Sequence, residues 1–129
     1  MFHTLTFRQS QRIHLAADFA SLKVTQVRWD GHYFFAKYGL LPRNGNRYRG
    51  PRVAFIVSKR IGPSCFRHKI KRLAREMFRL HQHELPNGID LLWVARRGIS
   101  NQWEALHREF RFMILKLQQY SETNRQSKE

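Results

Sequence analysis

The segment that decides the fold joins a strand to a helix and reads FIVSKRIGPSCFRHKIKRLAREMFR, residues 55–79. After a Gly-Pro bend, Ser64 is the predicted N-cap of a helix that runs to about His83. Apolar side chains recur on one face of this helix, three and four residues apart, at Ile70, Leu73, Ala74 and Met77. This spacing predicts that the face packs into the core.

The opposite face of the predicted helix is basic. The residues that form it, which we call the basic arc, are Arg67, His68, Lys71, Arg72, Arg75 and Arg79. The arc is predicted to contain no acid, because Glu76 falls outside it, beside Lys69. Solvated helix faces gain stability from opposite charges one turn apart, whereas these cations repel each other. A polyanion removes that repulsion and releases counterions, so the arc predicts a nucleic-acid-binding face, which Lys59 and Arg60 extend.

The flanking segments predict a βαβ unit. Residues 52–59 and 89–96 are continuous apolar runs on either side of the basic helix, so we expect them to form a parallel pair of strands. The aromatic run 32–41 predicts another strand, and the proline- and arginine-rich residues 42–51 predict a loop. A short helix is predicted over Ala16–Val24.

A last helix is predicted near the C-terminus. Asn101 and Glu104 have the spacing of a capping box, and the apolar residues of one face follow at Trp103, Leu106, Phe110, Ile114 and Leu117. We expect one domain over residues 1–120 and a polar tail over 121–129. The element order, α-β-(β)-β-α-β-α with one strand optional, predicts an α+β protein with a small mixed sheet packed with helices.

Charge and composition limit the class of partner. The chain of 129 residues carries 24 Lys+Arg against 9 Asp+Glu, a net charge of +15, which predicts a polyanionic partner. The single cysteine, Cys65, forms no internal disulfide and suits a reducing compartment. We see neither the ~20 apolar residues that cross a bilayer nor the apolar region of a signal peptide. The sequence therefore predicts a cytoplasmic protein with no membrane partner.

Taken with its flanks, the segment 55–79 resembles the signature of the bacterial ribonuclease P protein subunit. In that family a strand ending in Ser-Lys-Lys/Arg is followed by a Gly-containing bend and an Arg-Asn-Arg-x-Lys-Arg helix. FRQSQRI and ADF, between Phe7 and Phe19, are similar to the family's N-terminal arm and first helix. HELP and DLLWVARRG, between His83 and Gly98, are similar to its last strand and the turn after it. The resemblance implies an α/β sandwich with a left-handed βαβ crossover, similar to the second domain of ribosomal protein S5.

The resemblance also implies a function. The partner is a large catalytic RNA, and together they cleave precursor tRNA to produce the mature 5′ end. The RNA and its Mg²⁺ ions carry out the hydrolysis, and the protein, a monomer in the complex, supplies no catalytic residue or metal ligand. The residues implied to contact the RNA are Lys59, Arg60, Arg67, His68, Lys69, Lys71, Arg72, Arg75 and Arg79. Those implied to line a cleft for the single-stranded 5′ leader are Phe19, Lys23, Phe35, Lys37, His68, Arg72 and Arg75.

Some positions depart from the family pattern. The Arg-Asn-Arg triplet reads Arg67-His68-Lys69, and lysines stand at positions 23 and 37, where aromatic residues are expected. These changes predict a cleft with less base stacking and more attraction for phosphate. Phe34 should point to the opposite face of its strand and into the core, and Phe19 suits either the cleft or the core.

Other functional classes fit the sequence less well. The acids are scattered, without the pairing of a two-metal nuclease, and His81 and His83 are two residues apart, which a helix does not place together. A helix-turn-helix DNA-binding protein has a helix where this chain has a strand. A membrane-surface helix exposes large apolar residues beside its basic face, where only Phe78 is predicted. The alternative that remains is a general or ribosomal RNA-binding protein without a role in tRNA processing.

Overall fold

The computed structural model describes residues 11–13, 16–25, 27–40 and 48–127, without the side chains of residues 16–19 and 125–127. Its helices and strands are α1 Ala16–Val24, β1 Arg28–Asp30, β2 Phe34–Gly39, β3 Arg52–Ile56, α2 Ser64–His81, β4 Asp90–Ala95 and α3 Trp103–Ser127. Short 3-10 turns at Lys59–Ile61 and Gln82–Glu84 flank α2. The predicted α+β class is confirmed. Residues 1–10 and 41–47 lie outside the described residues, and residues 41–47 include most of the predicted loop 42–51.

The strands of the described chain form one mixed sheet in the order β1-β2-β4-β3. β3 pairs with β4 in parallel, as predicted for the βαβ unit, whereas β1–β2 and β2–β4 are antiparallel. The left-handed crossover stays a prediction. β1 was not predicted as a strand, because a three-residue edge strand with Arg28 and Asp30 exposed has no apolar run to mark it.

The helices cover both faces of the sheet. α2 and α3 pack on the face that carries Phe34, which is fully buried as predicted, and Trp93. On the opposite face, Leu22 of α1 packs with Ile13 and Leu92. Because side chains alternate along a strand, neighbouring strand residues serve the two layers.

The ends of α2 correct one prediction and extend another. Ser64 was predicted as the N-cap, but it is the first helical residue, and the N-cap is Pro63, which makes no side-chain capping hydrogen bond. α2 ends at His81, and the 3-10 turn Gln82–Glu84 continues it to Leu85. The chain after β3 therefore enters the helix one residue earlier than the Ser64 signal indicated.

Phe78 also differs from its prediction. It was expected on the exposed border of the basic face, but it is fully buried and makes an edge-to-face contact with Phe55, with ring centroids 6.4 Å apart. The buried face of α2 is wider than its own periodicity indicated, because the helix meets Phe55 on β3 as well as the interior of the sheet. The aromatic residue that suited a membrane-surface helix is therefore part of the core.

α3 is longer than predicted and begins differently. It continues through Ser127, so much of the predicted polar tail is helical, and the division into residues 1–120 and 121–129 stays a prediction. The predicted capping box is absent from the described contacts. The hydroxyl of Ser100 accepts from the backbone N–H of Gln102, whose side-chain amide donates to Asn101.

Side-chain contacts tie the β1–β2 turn to its neighbours. The Glu109 carboxylate of α3 accepts hydrogen bonds from the backbone N–H groups of His32 at 2.6 Å and Tyr33 at 2.9 Å. Arg96, which follows β4, donates to the carbonyl of Gly31 at 3.0 Å. These contacts explain how so short a strand as β1 is held, and they occupy the Glu109 carboxylate.

The C-terminal end of α2 is joined to α3 by two histidines. Nε2 of His81 lies 2.7 Å from Nε2 of His107, the other ring nitrogen of His81 contacts the Glu84 carboxylate, and Trp103 stacks on the His107 ring. Burial and the neighbouring His81 lower the pKa of His107. The contact between the two ring nitrogens needs one nitrogen without a proton to act as the acceptor. The lowered pKa favours a neutral His107 ring, which can supply such a nitrogen.

Candidate nucleic-acid interface

The basic arc lies along the solvent side of α2. His68, Arg72 and Arg75 are exposed and Lys71 is half-buried, whereas Ile70, Ala74 and Met77 on the other side are fully buried. A shallow groove of about 320 Å³ runs along the arc, lined by His68, Lys71, Arg72, Arg75, Glu76 and Arg79. The structure thus separates the cations from the core, as the sequence predicted.

A bend at Gly62 sets the direction in which α2 begins. Gly62 has φ +156, and a Cβ there would lie 3.1 Å from the ring of Phe66, so a larger residue would strain the bend. The Nε of Arg67 donates to the Gly62 carbonyl at 3.1 Å. Arg67 is therefore half-buried and engaged with the bend, whereas Lys59 and Arg60 in the preceding turn, and Lys69 in the first turns of α2, are exposed.

Arg79 differs from the other arc residues because it is paired with an acid. Its guanidinium meets the Glu76 carboxylate at 2.5 and 2.9 Å, and this hydrogen bond holds the pKa of Glu76 below its ordinary value. The expectation that the arc contains no acid is therefore wrong at this end, since side-chain reach brings Glu76 over the arc. The unbalanced positive charge is concentrated nearer the N-terminal end, on Lys71, Arg72 and Arg75.

The predicted leader-cleft residues of β2 lie on the α1 side of the sheet. The strand register aligns Lys37 with Leu92 and Ala54, and it aligns Phe35 with Val94 and Ile56. Ala54, Ile56 and Val94 are only partly buried. Two strand spacings of about 4.8 Å each therefore give an apolar floor about 10 Å wide between Lys37 on β2 and the β3 edge.

A second groove joins this floor to the basic arc. It has a volume of about 270 Å³, and its lining includes Arg12, Ile13, Ala54, Lys71 and Arg75. Ile13 donates its backbone N–H to Val53 at 3.1 Å, which places the N-terminal segment along β3. Sequence reasoning missed Arg12, because so short a β contact has no periodic signal.

Phe35 and Lys37 have partners that the sequence did not reveal. The guanidinium carbons of Arg28 and Arg96 lie 4.2 and 5.0 Å from the centre of the Phe35 ring. Both arginines bind Asp30, and the hydrogen bond from Arg28 is the main cause that lowers the pKa of Asp30. Phe35 is therefore covered by cations. Sequence reasoning missed Arg28 because it missed β1.

Lys37 reaches from β2 to the end of α1. Its Nζ donates to the backbone carbonyl of Lys23 at 2.6 Å, and the side chain of Lys23 is exposed. This contact brings the two predicted lysines together at one side of the floor. On α2, Arg75 lines the groove beside the floor, whereas His68 and Arg72 line the groove along the basic arc. Phe19 belongs to α1, but its side chain lies outside the described part of the chain.

The described residues offer neither a metal site nor a membrane span. Within them, no three His, Cys, Asp or Glu side chains are grouped as metal ligands would be. No described helix combines the length and apolar character needed to cross a bilayer.

Comparison with known proteins gives consistent matches. The model of the Ribonuclease P family matches residues 7–118. The chain is 33% identical over 117 residues to the "Ribonuclease P protein component" of Chromohalobacter salexigens, which covers 87% of this chain and 85% of that protein. It is 29% identical over 101 residues to the protein of the same name from Thermotoga maritima, covering 78% and 82%.

Solved structures share the fold. The RNase P protein from Thermotoga maritima aligns with a TM-score of 0.66 at 22% identity, covering 80% of this chain and 94% of that one. The Staphylococcus aureus RNase P protein aligns with a TM-score of 0.64 at 24% identity, covering 82% and 93%. The four-stranded mixed sheet and its helices are therefore an arrangement that solved proteins also adopt.

Proposed function

The chain belongs to the ribonuclease P protein family, whose role in tRNA processing it shares, and we propose that the basic arc of α2 is its contact with the ribonuclease P RNA. The observation that carries this proposal is the segregation on α2. Exposed and half-buried cations occupy one side of the helix, while Ile70, Ala74 and Met77 on the other side are fully buried. Arginine forks at positions 72 and 75 can grip phosphate oxygens with two hydrogen bonds each.

We further propose that the RNA, with Mg²⁺ ions that it mainly binds itself, performs the hydrolysis. Support comes from the acids of the protein, several of which are engaged elsewhere. Glu76 and Asp30 pair with arginines, Asp90 pairs with the buried Arg52, and Glu109 accepts from backbone N–H groups. Carboxylates engaged in this way are poorly placed to hold catalytic metal ions, so the role of the protein is to bind and position RNA.

The 5′ leader of precursor tRNA is proposed to lie across the α1 side of the sheet. The partly buried apolar floor can contact bases, while Lys37 on one side and Arg12, Lys71 and Arg75 on the other can contact phosphates. Single strands are held in this way by cationic grooves with apolar or aromatic platforms. The placement of Phe35 under two arginines supports attraction for phosphate more than open base stacking there.

We also propose that the protein acts as a monomer within the complex and works in the cytoplasm. The net charge of +15 supports the first point, since two copies repel each other at moderate ionic strength. Processing of tRNA, which the family implies, supports the second.

Reconstitution tests the proposed function. We expect the purified protein, mixed with a bacterial ribonuclease P RNA at low Mg²⁺, to permit cleavage of a leader-bearing precursor tRNA at the mature 5′ end. Either component alone should give little product under the same conditions, because the protein helps to neutralise RNA charge that Mg²⁺ would otherwise screen. Tight but indiscriminate RNA binding without stimulated cleavage would instead favour a general RNA-binding protein.

Ala54→Glu tests the leader cleft. The new carboxylate would lie in the groove lined by Arg12, Lys71 and Arg75 and pair with these cations. We expect the affinity of the holoenzyme for leader-bearing precursor tRNA to fall about tenfold, which corresponds to ~1.4 kcal/mol. The affinity for the same tRNA without a leader should change little.

Ala54→Gln is the control for this change, because it adds similar volume without charge and should keep most of the leader-dependent affinity. Equal losses for the two tRNA forms would place the leader elsewhere.

A further inference from the structure

The outer side of α3 carries an exposed ridge, formed by Arg108, Phe112 and Leu115, that the proposed function does not use. Phe112 is 59% exposed and Leu115 is 55% exposed, although both are large apolar residues on a helix whose other side is fully buried. Together with Arg108 they line two adjacent grooves of about 610 and 590 Å³. The described residues that line these grooves include none from the groove along the basic arc.

Aromatic residues flank the ridge on both sides. Trp103, stacked on His107, lines one groove, and Trp29 of β1 lines the other. Both indoles are partly buried, and Trp29 also packs against Phe34. Phe112 is therefore an exposed ring between two partly buried indoles. Such a surface suits flat groups that stack on a ring better than a compact ligand that fills a pocket.

The charges around the ridge are mostly positive. Arg108, Arg111 and Lys116 are exposed, and within the described chain none has an acid at salt-bridge distance. The acids that line the grooves are Glu104, which is exposed, and Glu109, whose oxygens accept hydrogen bonds from two backbone N–H groups of the β1–β2 turn. The surface therefore suits an anionic partner.

A second copy of this chain does not suit the ridge. Each copy carries a net charge of +15 and would bring cations against cations. An acidic protein helix would pair with the cations and cover Leu115. It would gain little binding energy from the aromatic rings of Trp29, Trp103 and Phe112. A single RNA strand uses both features, since its bases stack on aromatic faces and its phosphates pair with arginine and lysine.

We propose that the α3 ridge, formed by Arg108, Phe112 and Leu115 with Arg111 and Lys116 beside it, is a second RNA-binding surface that takes a single-stranded segment. A base stacks on Phe112, and the neighbouring cations hold the flanking phosphates. The proposal does not depend on the leader cleft or on the basic arc, because the surface uses other residues on another helix.

Site-resolved crosslinking tests the ridge in the full-length chain. A 12-nucleotide oligouridylate containing 4-thiouridine is irradiated with the protein at increasing concentration, and adducts are located by mass spectrometry of peptides. We expect an adduct on the peptide that contains Phe112, and we expect it to remain in the R72E/R75E variant, which loses adducts on α2. The concentration for half-maximal yield at Phe112 reports the affinity of this surface alone.

Substitutions then separate stacking from charge. Phe112→Leu should raise the half-maximal concentration about tenfold, within the range expected for one stacked base, whereas Phe112→Tyr should leave it nearly unchanged. In R108E/R111E, the slope of log affinity against log salt should become shallower by about 1.4, because two phosphate contacts to a single strand are removed. Leu40→Ala, an exposed apolar change away from the ridge, is the matched control.

Each remaining outcome overturns the proposal. An absent adduct on α3 in the wild type would do so, and so would an unchanged yield in Phe112→Leu. If Phe112→Leu kept its oligouridylate yield, and a labelled acidic helical peptide with leucines one turn apart bound the wild type but not R108E/R111E, the surface would be assigned to protein instead. Cleavage by the reconstituted holoenzyme is a separate measurement, so failure here leaves the proposed function standing.

Discussion

Reversing the charge of two arginines on α2, in R72E/R75E, should lower affinity for ribonuclease P RNA by a factor of about 10² to 10⁴. Both side chains are exposed in the part of the arc where positive charge is unbalanced. Two charge-assisted hydrogen-bonded contacts, each contributing ~1.5–3 kcal/mol, account for this loss. The slope of log affinity against log salt should also become shallower by about 1.8, because two fewer phosphates are neutralised.

Folding should survive this change, because the buried side of α2 is untouched. Circular dichroism and the urea midpoint should match the wild type, while filter binding at several KCl concentrations measures affinity and slope. R49E/R97E is the matched control, since it changes net charge equally at exposed residues that line neither the groove along the arc nor the groove beside Ala54. An equal loss in both variants would mean that overall charge, and not the arc, governs binding.

Replacing the buried Arg52 by methionine should strongly destabilise the fold. Arg52 and Asp90 begin the paired strands β3 and β4, and their side chains are 3% and 0% exposed. The guanidinium donates to the two carboxylate oxygens at 2.8 and 2.7 Å. Arg52→Met leaves the Asp90 carboxylate buried without its ionic partner, which costs ~3–5 kcal/mol. The midpoint of thermal unfolding should fall by about 10–20 °C.

The double variant R52M/D90L separates the ion pair from packing. Because both charges leave together, most of the lost free energy of unfolding should return. Arg49→Met, at an exposed position near the start of β3, should have little effect. Urea denaturation of the wild type and the three variants gives the comparison. A loss below ~1 kcal/mol in Arg52→Met, far under the cost of an unpaired buried charge, would show that Asp90 finds other partners or protonates at little cost.

The sequence by itself determined those features that repeat locally. The three- and four-residue spacing of α2 separated a core side from a basic side, and the apolar runs around it predicted the parallel pair β3–β4. Net charge predicted a polyanionic partner, and the ordered motifs around residues 55–79 resembled the family to which the chain belongs. Periodicity and charge are properties of neighbouring residues, so they can be recognised before any long-range contact is known.

Only the tertiary structure decided the features that depend on contacts between distant segments. β1 forms because β2, Arg96 and Glu109 hold it, and Phe78 is buried because β3 presents Phe55 to it. The groove that joins Arg12 to α2, the cations over Phe35 and the ridge on α3 arise in the same way. Residues far apart in the chain become neighbours through packing, and no local pattern records which ones will meet.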